Sequence, residues 1–220
     1  MKDKLDPNDF MITRKRKKYK FAKFHNAENC FEIEEWQKDG IKAVDVVEIG
    51  AGDGKFSLEL AAKYPDKTFV ALDIKGDRLQ NGAYEALGRG VKNVFFVRAR
   101  ADQVGELFAE KSLKEVWVTF PDPFPRAKSS GRRLTNSTFL RRYQELLASS
   151  GCLSLKHDND AFFNWSLTQL VAEKWRITEL IFDLHDKAID ETIDARVDTT
   201  YEKRWLDDGR TTKYVRAVRD

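Results

Sequence analysis

Three glycines at alternate positions follow an acid, Glu48, early in this sequence. They are Gly50, Gly52 and Gly54, in the run V-V-E-I-G-A-G-D-G-K-F. A short apolar strand that leads into glycines and then a helix gives a tight turn that a nucleotide-like ligand can approach closely. A dinucleotide-binding fingerprint needs its third glycine one place later, where this chain has Lys55. The spacing therefore disfavours a nicotinamide dehydrogenase.

A second acid, Asp73, ends the next apolar run, residues 68–72. A carboxylate at a strand end can accept hydrogen bonds from both hydroxyls of a ribose. An acidic first turn suits a cationic sulfonium ligand better than it suits an anionic pyrophosphate. The E-x-G-x-G-x-G run and this acid resemble the S-adenosylmethionine site of Rossmann-like methyltransferases. The alternative is a glycine turn that serves only to pack a strand against a helix.

A third acid, Asp122, lies between two prolines in the run F-P-D-P-F-P, just after a predicted strand. Prolines restrict the backbone on both sides, which lowers the entropy cost of holding one carboxylate in place. We interpret Asp122 as a site residue. The alternative is a proline turn with a purely structural role.

A basic loop follows the prolines directly. Its cations are Arg126, Lys128, Arg132 and Arg133, separated by small residues. We expect a mobile loop suited to a polyanion backbone, although an ordinary exposed basic loop has the same composition. A second basic segment, residues 14–20, places six cations around Tyr19 and could neutralise phosphates and stack on bases. Its alternative is a solvated tail.

Two further stretches carry polar groups. Asp158, in K-H-D-N-D, follows another predicted strand and can accept from the two donors on the Watson–Crick edge of guanine. Thr199 and Glu202 have the spacing of a capping box at the start of a predicted helix, 199–205. That box is a complete structural explanation, and a substrate role is the alternative.

The bulk composition limits the function classes. The chain has 220 residues, of which 34% are charged, a net charge of +3 and a pI of about 8.7, so any basic surface must be local. No apolar run approaches the roughly 20 residues of a membrane span, and the amino terminus lacks a signal-peptide pattern. We expect a cytoplasmic protein with no membrane partner. Cys30 and Cys152 suggest neither a disulfide framework nor a metal site.

Strand and helix patterns alternate from residue 46 onward. Strands are predicted at 46–49, 68–72, 91–97, 116–120, 152–156, 177–182 and 211–218. Helices are predicted at 27–36, 56–61, 77–87, 102–109, 137–148 and 160–174. This rhythm predicts an α/β fold, a Rossmann-like doubly wound, mostly parallel seven-stranded sheet with helices on both faces. We expect a basic amino-terminal extension with its lead-in helix, residues 1–40, and one domain, 41–220, with its motifs at the carboxyl ends of the strands.

These motifs together resemble the bacterial tRNA (guanine-N7)-methyltransferase family, most specifically through F-P-D-P. The other motifs that carry the resemblance are R-R-L-T, K-H-D-N, and T-x-x-E with the nearby Tyr201. It implies S-adenosylmethionine-dependent methylation of the guanine at position 46, in the variable loop of tRNA. It implies that the cofactor contacts Glu48, Gly50, Gly52, Asp73, Arg100 and Asp122, with Asp122 at the catalytic edge. It implies that the substrate contacts Arg126, Asp158, Thr199 and Glu202.

Some positions depart from the family pattern. Phe124 replaces a usual tryptophan, and Arg126 stands where lysine is common. Arg100 stands where an acid or amide near the adenine is usual, and Asp102 is a candidate to replace it.

The implied reaction needs no general base, because N7 of guanine has a lone pair and no proton. The protein has to align the reactants, and a fixed carboxylate can favour the positive charge that moves onto the purine. We therefore expect the four carboxylates at 48, 73, 122 and 158 to line one pocket. Alternatives are a methyltransferase for another RNA or a small molecule, and an RNA-binding module that has lost its cofactor. The chain could work as a monomer or a homodimer.

Overall fold

Strands and helices alternate through most of the chain, as the apolar periodicity predicts. The computed structural model describes residues 4–9, 15–190, 193–199, 202 and 209–219. The chain divides into two compact units, Met1–Leu107 and Phe108–Asp220. The predicted division into 1–40 and 41–220 stays a prediction.

The first unit has four parallel strands and five α-helices among its described residues, with short 3-10 helices at Pro7–Asp9 and Ala101–Gln103. The strands are β1 (Cys30–Glu32), β2 (Val46–Ile49), β3 (Phe69–Asp73) and β4 (Val94–Arg98). The helices are α1 (Lys15–Asn26), α2 (Ile33–Asp39), α3 (Lys55–Lys63), α4 (Gly76–Arg89) and the single turn α5 (Val104–Leu107). The strand order is β1-β4-β3-β2.

The central strands of this unit are buried along their whole length. Every residue of β2 is buried, and the first four residues of β3 are at most 2% exposed. A strand in a parallel sheet is covered on both faces and therefore reads as a continuous apolar run. Glu48 interrupts that run, which marks it as a buried charge with a specific role.

Two glycines allow helix α4 to lie directly against the glycine turn. A Cβ on Gly82 would stand 2.2 Å from the carbonyl oxygen of Asp53, and a Cβ on Gly54 would stand 2.6 Å from the Phe96 ring. The Gly82 amide also donates a hydrogen bond to the Asp53 carbonyl at 3.1 Å. The turn is thus fixed by close packing as well as by its own dihedral angles.

The second unit has four strands and two α-helices among its described residues. The strands are β5 (Leu113–Thr119), β6 (Leu147–His157), β7 (Trp175–Ile181) and β8 (Lys213–Arg219). The helices are α6 (Ser137–Leu146) and α7 (Asp160–Ala172), with short 3-10 helices at Ala127–Arg132 and Asp194–Arg196. The order is β5-β6-β8-β7, in which β5 and β6 are parallel and β8 is antiparallel to both neighbours.

Three expectations about the elements need correction. The described residues form eight strands instead of seven, because β1 pairs in parallel with β4, with Cys30 opposite Phe96. The helix predicted at 27–36 is wrong before Ile33, because residues 27–29 form a turn and Cys30–Glu32 form β1. The helix predicted at 102–109 shrinks to a 3-10 turn followed by α5.

The helix predicted at 199–205 lies mostly outside the described residues, as does Tyr201. Cys30 and Cys152 are both buried, and neither forms a disulfide. In the described part of the chain, none of the helices combines the length and the apolar character that crossing a membrane requires.

Two glycines of α4 provide a matched test of the close packing at the turn. We expect Gly82→Ala to lower the free energy of unfolding by at least about 2 kcal/mol, because its methyl group would overlap backbone. Gly88→Ala meets nothing within 4 Å and should raise that free energy by about 0.5–1 kcal/mol, the usual gain of alanine over glycine in a helix. Denaturant titration measures both, and equal effects would contradict the packing argument.

Candidate functional site

The glycine turn and Asp73 come together at the carboxyl ends of β2 and β3, as predicted. The three glycines have φ values of 77°, 62° and 71° at positions 50, 52 and 54, in the left-handed region that favours glycine. The Gly52 amide donates to Oδ2 of Asp73 at 2.9 Å, and the Lys75 amide donates to Oδ1 at 2.8 Å. Two backbone amides therefore fix the orientation of this carboxylate.

Glu48 lies beneath the turn and is 1% exposed. Its Oε2 accepts a hydrogen bond from the Ser57 hydroxyl at 2.6 Å and from the Ser57 amide at 3.3 Å. These bonds join the end of β2 to the first turn of α3. Sequence reasoning missed Ser57, although a serine among the apolar residues of a buried helix face is a detectable signal.

Arg100 and Asp102 pair with each other beyond the end of β4. Nε of Arg100 donates to Oδ1 of Asp102 at 2.9 Å, and a second guanidinium nitrogen contacts Oδ2. Both side chains are well exposed, so solvent screens the pair and a ligand can displace it at small cost. Their predicted part in adenine recognition stays a prediction.

An exposed apolar side chain also lies at this strand end. Ile74 follows Asp73 directly and is 59% exposed. It offers an apolar surface next to the oriented carboxylate. Sequence reasoning missed it, because a single isoleucine after a strand carries no pattern.

In the second unit, the turn that carries Asp122 is anchored to the end of β6. The anchors are a hydrogen bond from the Phe120 amide to the Lys156 carbonyl, 3.0 Å, and one from Nε2 of His157 to the Pro121 carbonyl, 2.9 Å. The Asp122 side chain is exposed, and within the described part of the chain it has no hydrogen bond or ion pair. A fixed turn thus presents a carboxylate that the described residues leave unpaired.

The basic loop contains a short regular element. Its residues Ala127–Arg132 form a 3-10 helix, and the expected mobility of the loop stays a prediction. Arg126, Lys128 and Arg132 are exposed, whereas Arg133 is only 9% exposed. Three of the four cations are therefore accessible to a polyanion and the fourth is buried.

Asp158 lies at the end of β6 and is already paired. Its carboxylate accepts from Arg210 at 2.9 Å and lies 3.1 Å from Nδ1 of His157. Contact with the His157 ring and with the Arg210 guanidinium lowers the pKa of Asp158 to about 2. The carboxylate remains a charged acceptor at neutral pH, and a guanine edge would have to share it with Arg210.

His157 has two roles that depend on its protonation state. Nε2 faces a carbonyl, which only accepts, so Nε2 carries a proton and donates to Pro121 in either state. Nδ1 lies 2.8 Å from the Asn159 amide and accepts from it when the ring is neutral. A protonated ring turns Nδ1 into a donor toward Asp158, while the bond to Pro121 persists.

The other two predicted substrate residues belong to a buried network. The Thr199 hydroxyl accepts from the Glu202 amide at 3.0 Å, and the Thr199 amide donates to Oε2 of Glu202 at 3.3 Å, which confirms the capping box. Glu202 is fully buried, and Lys156 and His185 contact its two oxygens at 2.6 Å and 2.9 Å. A substrate role for this pair stays a prediction.

Lys156 is the residue of this network that sequence reasoning missed. It is fully buried, and its ammonium also donates to the carbonyls of Ala195 and Val197 at 2.9 Å and 2.7 Å. A lysine that ends an apolar strand is the available signal. Carboxylate and imidazole groups of His185, Asp198 and Glu202 lie within 4.8 Å of one another, but the Lys156 ammonium already neutralises Glu202.

Within each unit, then, the predicted acids lie at carboxyl ends of parallel strands. Asp73 and Glu48 adjoin one glycine turn, and the Asp122 turn is joined to the strand end that carries Asp158. The predicted pocket shared by all four carboxylates stays a prediction.

The comparisons with known proteins match these observations. Residues 42–215 fit the model of a family described as putative methyltransferase, which covers most of both units. The chain is therefore a member of a methyltransferase family.

More narrowly, it belongs to the tRNA (guanine-N(7)-)-methyltransferase family. The protein of that name from Christiangramia forsetii is 35% identical over 192 residues, 86% of each chain. The one from Bacteroides fragilis is 35% identical over 184 residues, 82% of this chain and 71% of the relative.

Solved structures confirm the predicted fold class. The 16S rRNA methyltransferase KamB aligns with a TM-score of 0.60 at 16% identity, covering 85% of this chain and 92% of that one. A variant of the 16S rRNA (adenine(1408)-N(1))-methyltransferase from Catenulisporales acidiphilia, solved with the cosubstrate SAM, aligns with a TM-score of 0.52 at 18% identity. It covers 86% of this chain and 92% of that one. At these identities the likeness shows the fold alone.

The low pKa of Asp158 predicts an acid-dependent loss of stability. Because this pKa is about 2 and the ordinary value is about 4, the carboxylate's contribution is complete above pH ~4 and disappears as the pH falls through about 2. We expect Asp158→Asn to be less stable than the native chain at pH 6, and the difference to shrink toward pH 2 in urea titrations.

Asp66→Asn is the control, since that side chain is exposed and has no hydrogen bond or ion pair within the described part of the chain. Its difference from the native chain should stay small across the range. A difference for Asp158→Asn that does not vary between pH 2 and 6 would contradict the assigned pairing.

Proposed function

We propose that this chain transfers the methyl group of S-adenosylmethionine to N7 of the guanine at position 46, in the variable loop of tRNA. The observation that carries the proposal is the similarity to tRNA (guanine-N(7)-)-methyltransferases over most of the chain. The motif residues of both units support it, because they lie at strand ends where this class of fold binds ligands.

The first unit has the features that S-adenosylmethionine would need. The left-handed glycine turn lets a ligand approach the backbone, and the free lone pairs of the oriented Asp73 carboxylate suit two ribose hydroxyls. We assign cofactor contacts to this turn, through Gly50 and Gly52, and to Glu48, Asp73 and Arg100, and we add Ile74 beneath the purine. When bound, the cofactor would supply an electrophilic methyl group.

The second unit would handle the guanine. N7 needs no deprotonation, so orientation supplies most of the catalysis, up to roughly 7–11 kcal/mol in well-aligned reactions. Asp122, exposed and unpaired among the described residues, would contact the cofactor and stabilise the positive charge that develops on the purine. Asp158 would hold the base edge, and the exposed Arg126 would contact phosphate. We propose further substrate contacts at Thr199 and Glu202.

Helix α1 provides a further surface for RNA on the first unit. Ala22 and Phe24 are 2% and 1% exposed and fix the helix to the unit. Among the described residues no carboxylate lies within 4 Å of the ammonium groups of Lys18, Lys20 and Lys23. Tyr19 on the same helix is 42% exposed. Unneutralised cations beside an exposed aromatic ring fit an RNA backbone with an unstacked base.

The direct test is to incubate unmodified tRNA with the protein and S-adenosylmethionine and to map the product by mass spectrometry. We expect 7-methylguanosine at position 46. Methylation of other RNA or of small molecules alone would contradict the proposal. Calorimetry with S-adenosylhomocysteine separates a pure RNA-binding module, which would give no heat.

Asp122→Asn tests the electrostatic role in the same assay. The variant keeps the shape of the side chain and removes its charge, so we expect the single-turnover rate to fall about a hundredfold. The free energy of unfolding should change by less than about 0.5 kcal/mol, because the side chain is exposed. A variant with native rate would remove the catalytic assignment.

Salt titrations of tRNA binding test helix α1. Replacing Lys20 and Lys23 with glutamine should weaken binding and reduce the slope of log K against log salt by about 1.4–1.8, since each phosphate contact contributes about 0.7–0.9. Replacing Lys38 and Lys92, exposed lysines outside α1, removes the same charge and should leave the slope nearly unchanged. Equal slopes for the two double variants would exclude a specific contact at α1.

A further inference from the structure

The turn that carries Asp122 has an unfavourable backbone. Phe120 and Phe124, on either side of it, have φ values of 44° and 40°. Such conformations are strained for residues with a Cβ and persist only where neighbouring groups hold them. The position of Asp122 therefore depends on contacts outside the turn.

Arg133 supplies those contacts on the carboxyl side of Asp122. Its Nε donates to the Pro123 carbonyl and its Nη2 donates to the Phe124 carbonyl, both at 3.0 Å. A planar guanidinium presents two N–H groups in a fixed fork to two successive carbonyls, and the ammonium of a lysine, a compact point charge with tetrahedral donors, does not reproduce that geometry. The hydrogen bonds to β6 hold the turn before Asp122, and those of Arg133 hold it after Asp122.

Arg133 is largely shielded from solvent, unlike the other cations of the basic loop. Its guanidinium lies 4.3 Å from the Trp165 ring and the residue is only 9% exposed. Its neighbour Arg132 is exposed, with its guanidinium 4.4 Å from the Phe124 ring. Two adjacent arginines of the basic loop thus face different surroundings.

The backbone of Arg133 is itself fixed by the start of α6. The Asn136 amide donates to the Arg133 carbonyl at 3.0 Å, and the Arg133 amide donates to the Ser130 carbonyl at 3.0 Å. Oδ1 of Asn136 caps α6 by accepting from the amides of Thr138 and Phe139. The backbone that carries the guanidinium is therefore fixed at the N-terminus of α6.

We propose that Arg133 is a positioning residue that holds the turn carrying Asp122, and is not a phosphate ligand of the basic loop. The inference rests on the proposed function, because it assigns a purpose to a fixed Asp122. It divides the basic loop into exposed cations that contact RNA and one buried cation that orders the site.

Three variants test this role. Arg133→Gln removes the guanidinium fork. Arg133→Lys keeps the positive charge but loses the pair of hydrogen bonds to the turn. Arg141→Gln is the matched control, since Arg141 is an exposed arginine of the same unit, 68% exposed and paired with Glu173. All three are measured for single-turnover methylation at saturating tRNA and S-adenosylmethionine, and for tRNA binding at several salt concentrations.

We expect Arg133→Gln to lower the single-turnover rate at least about tenfold, because small displacements of a reacting group cost large factors in rate. Its salt slope should match that of the native protein. The single-turnover rate of Arg133→Lys should lie between those of Arg133→Gln and the native protein. Arg141→Gln should keep the native rate. Arg132→Gln should change the dissociation constant and its salt slope more than the rate.

The opposite pattern would overturn the proposal. If Arg133 binds phosphate, Arg133→Gln and Arg133→Lys keep the native rate at saturation, and the glutamine variant loses about 0.7–0.9 from the salt slope. Rescue of an Arg133→Ala variant by dilute guanidinium chloride, below the unfolding range, separates a lost local contact from general destabilisation. An absence of rescue in a folded variant counts against the proposal.

Failure of this inference and failure of the proposed function have different signatures. If the native protein methylates tRNA at the expected guanine and Arg133→Gln does so at the native rate, only the role of Arg133 falls. If the native protein makes no 7-methylguanosine, the proposed function is wrong, and the role of Arg133 that rests on it is wrong too.

Discussion

Abrupt reversal of the backbone after a buried strand is the constraint on which both units depend. After β2 the reversal uses glycines, which adopt left-handed dihedral angles without a steric penalty. After β5 it uses phenylalanines, which do not. The first turn is therefore stable by its own composition, and the second needs support from other elements.

That difference explains how charge is used in each unit. In the first, backbone amides orient Asp73, and the buried Glu48 is bound by a serine at a helix start. In the second, buried cations perform the equivalent work. Arg133 holds carbonyls of the Asp122 turn, and Lys156 holds carbonyls of the segment after β7. The net charge of +3 counts these inward-facing cations together with the exposed ones, so it does not show how many cations are accessible.

Much of the fold was predictable because its signals are local. Continuous apolar runs gave the buried strands, and the glycines and Asp73 follow two of those strands directly. β1 was missed because three residues are too few to show a period, and only pairing with β4 makes them a strand. The site was less predictable where partners are distant in sequence. Arg210 is 52 residues from Asp158, and no spacing rule connects them. A basic run likewise does not reveal which of Arg132 and Arg133 turns inward, since Trp165 and the cap of α6 decide it.

The buried pair of Lys156 and Glu202 limits how this chain can diverge. Replacing either partner alone leaves the other as an unpaired buried charge, which typically destabilises a protein by about 3–5 kcal/mol. Replacing both together by apolar side chains of similar volume is often neutral. The two positions therefore form a single unit of evolutionary substitution, and homologues that lack one partner should lack the other.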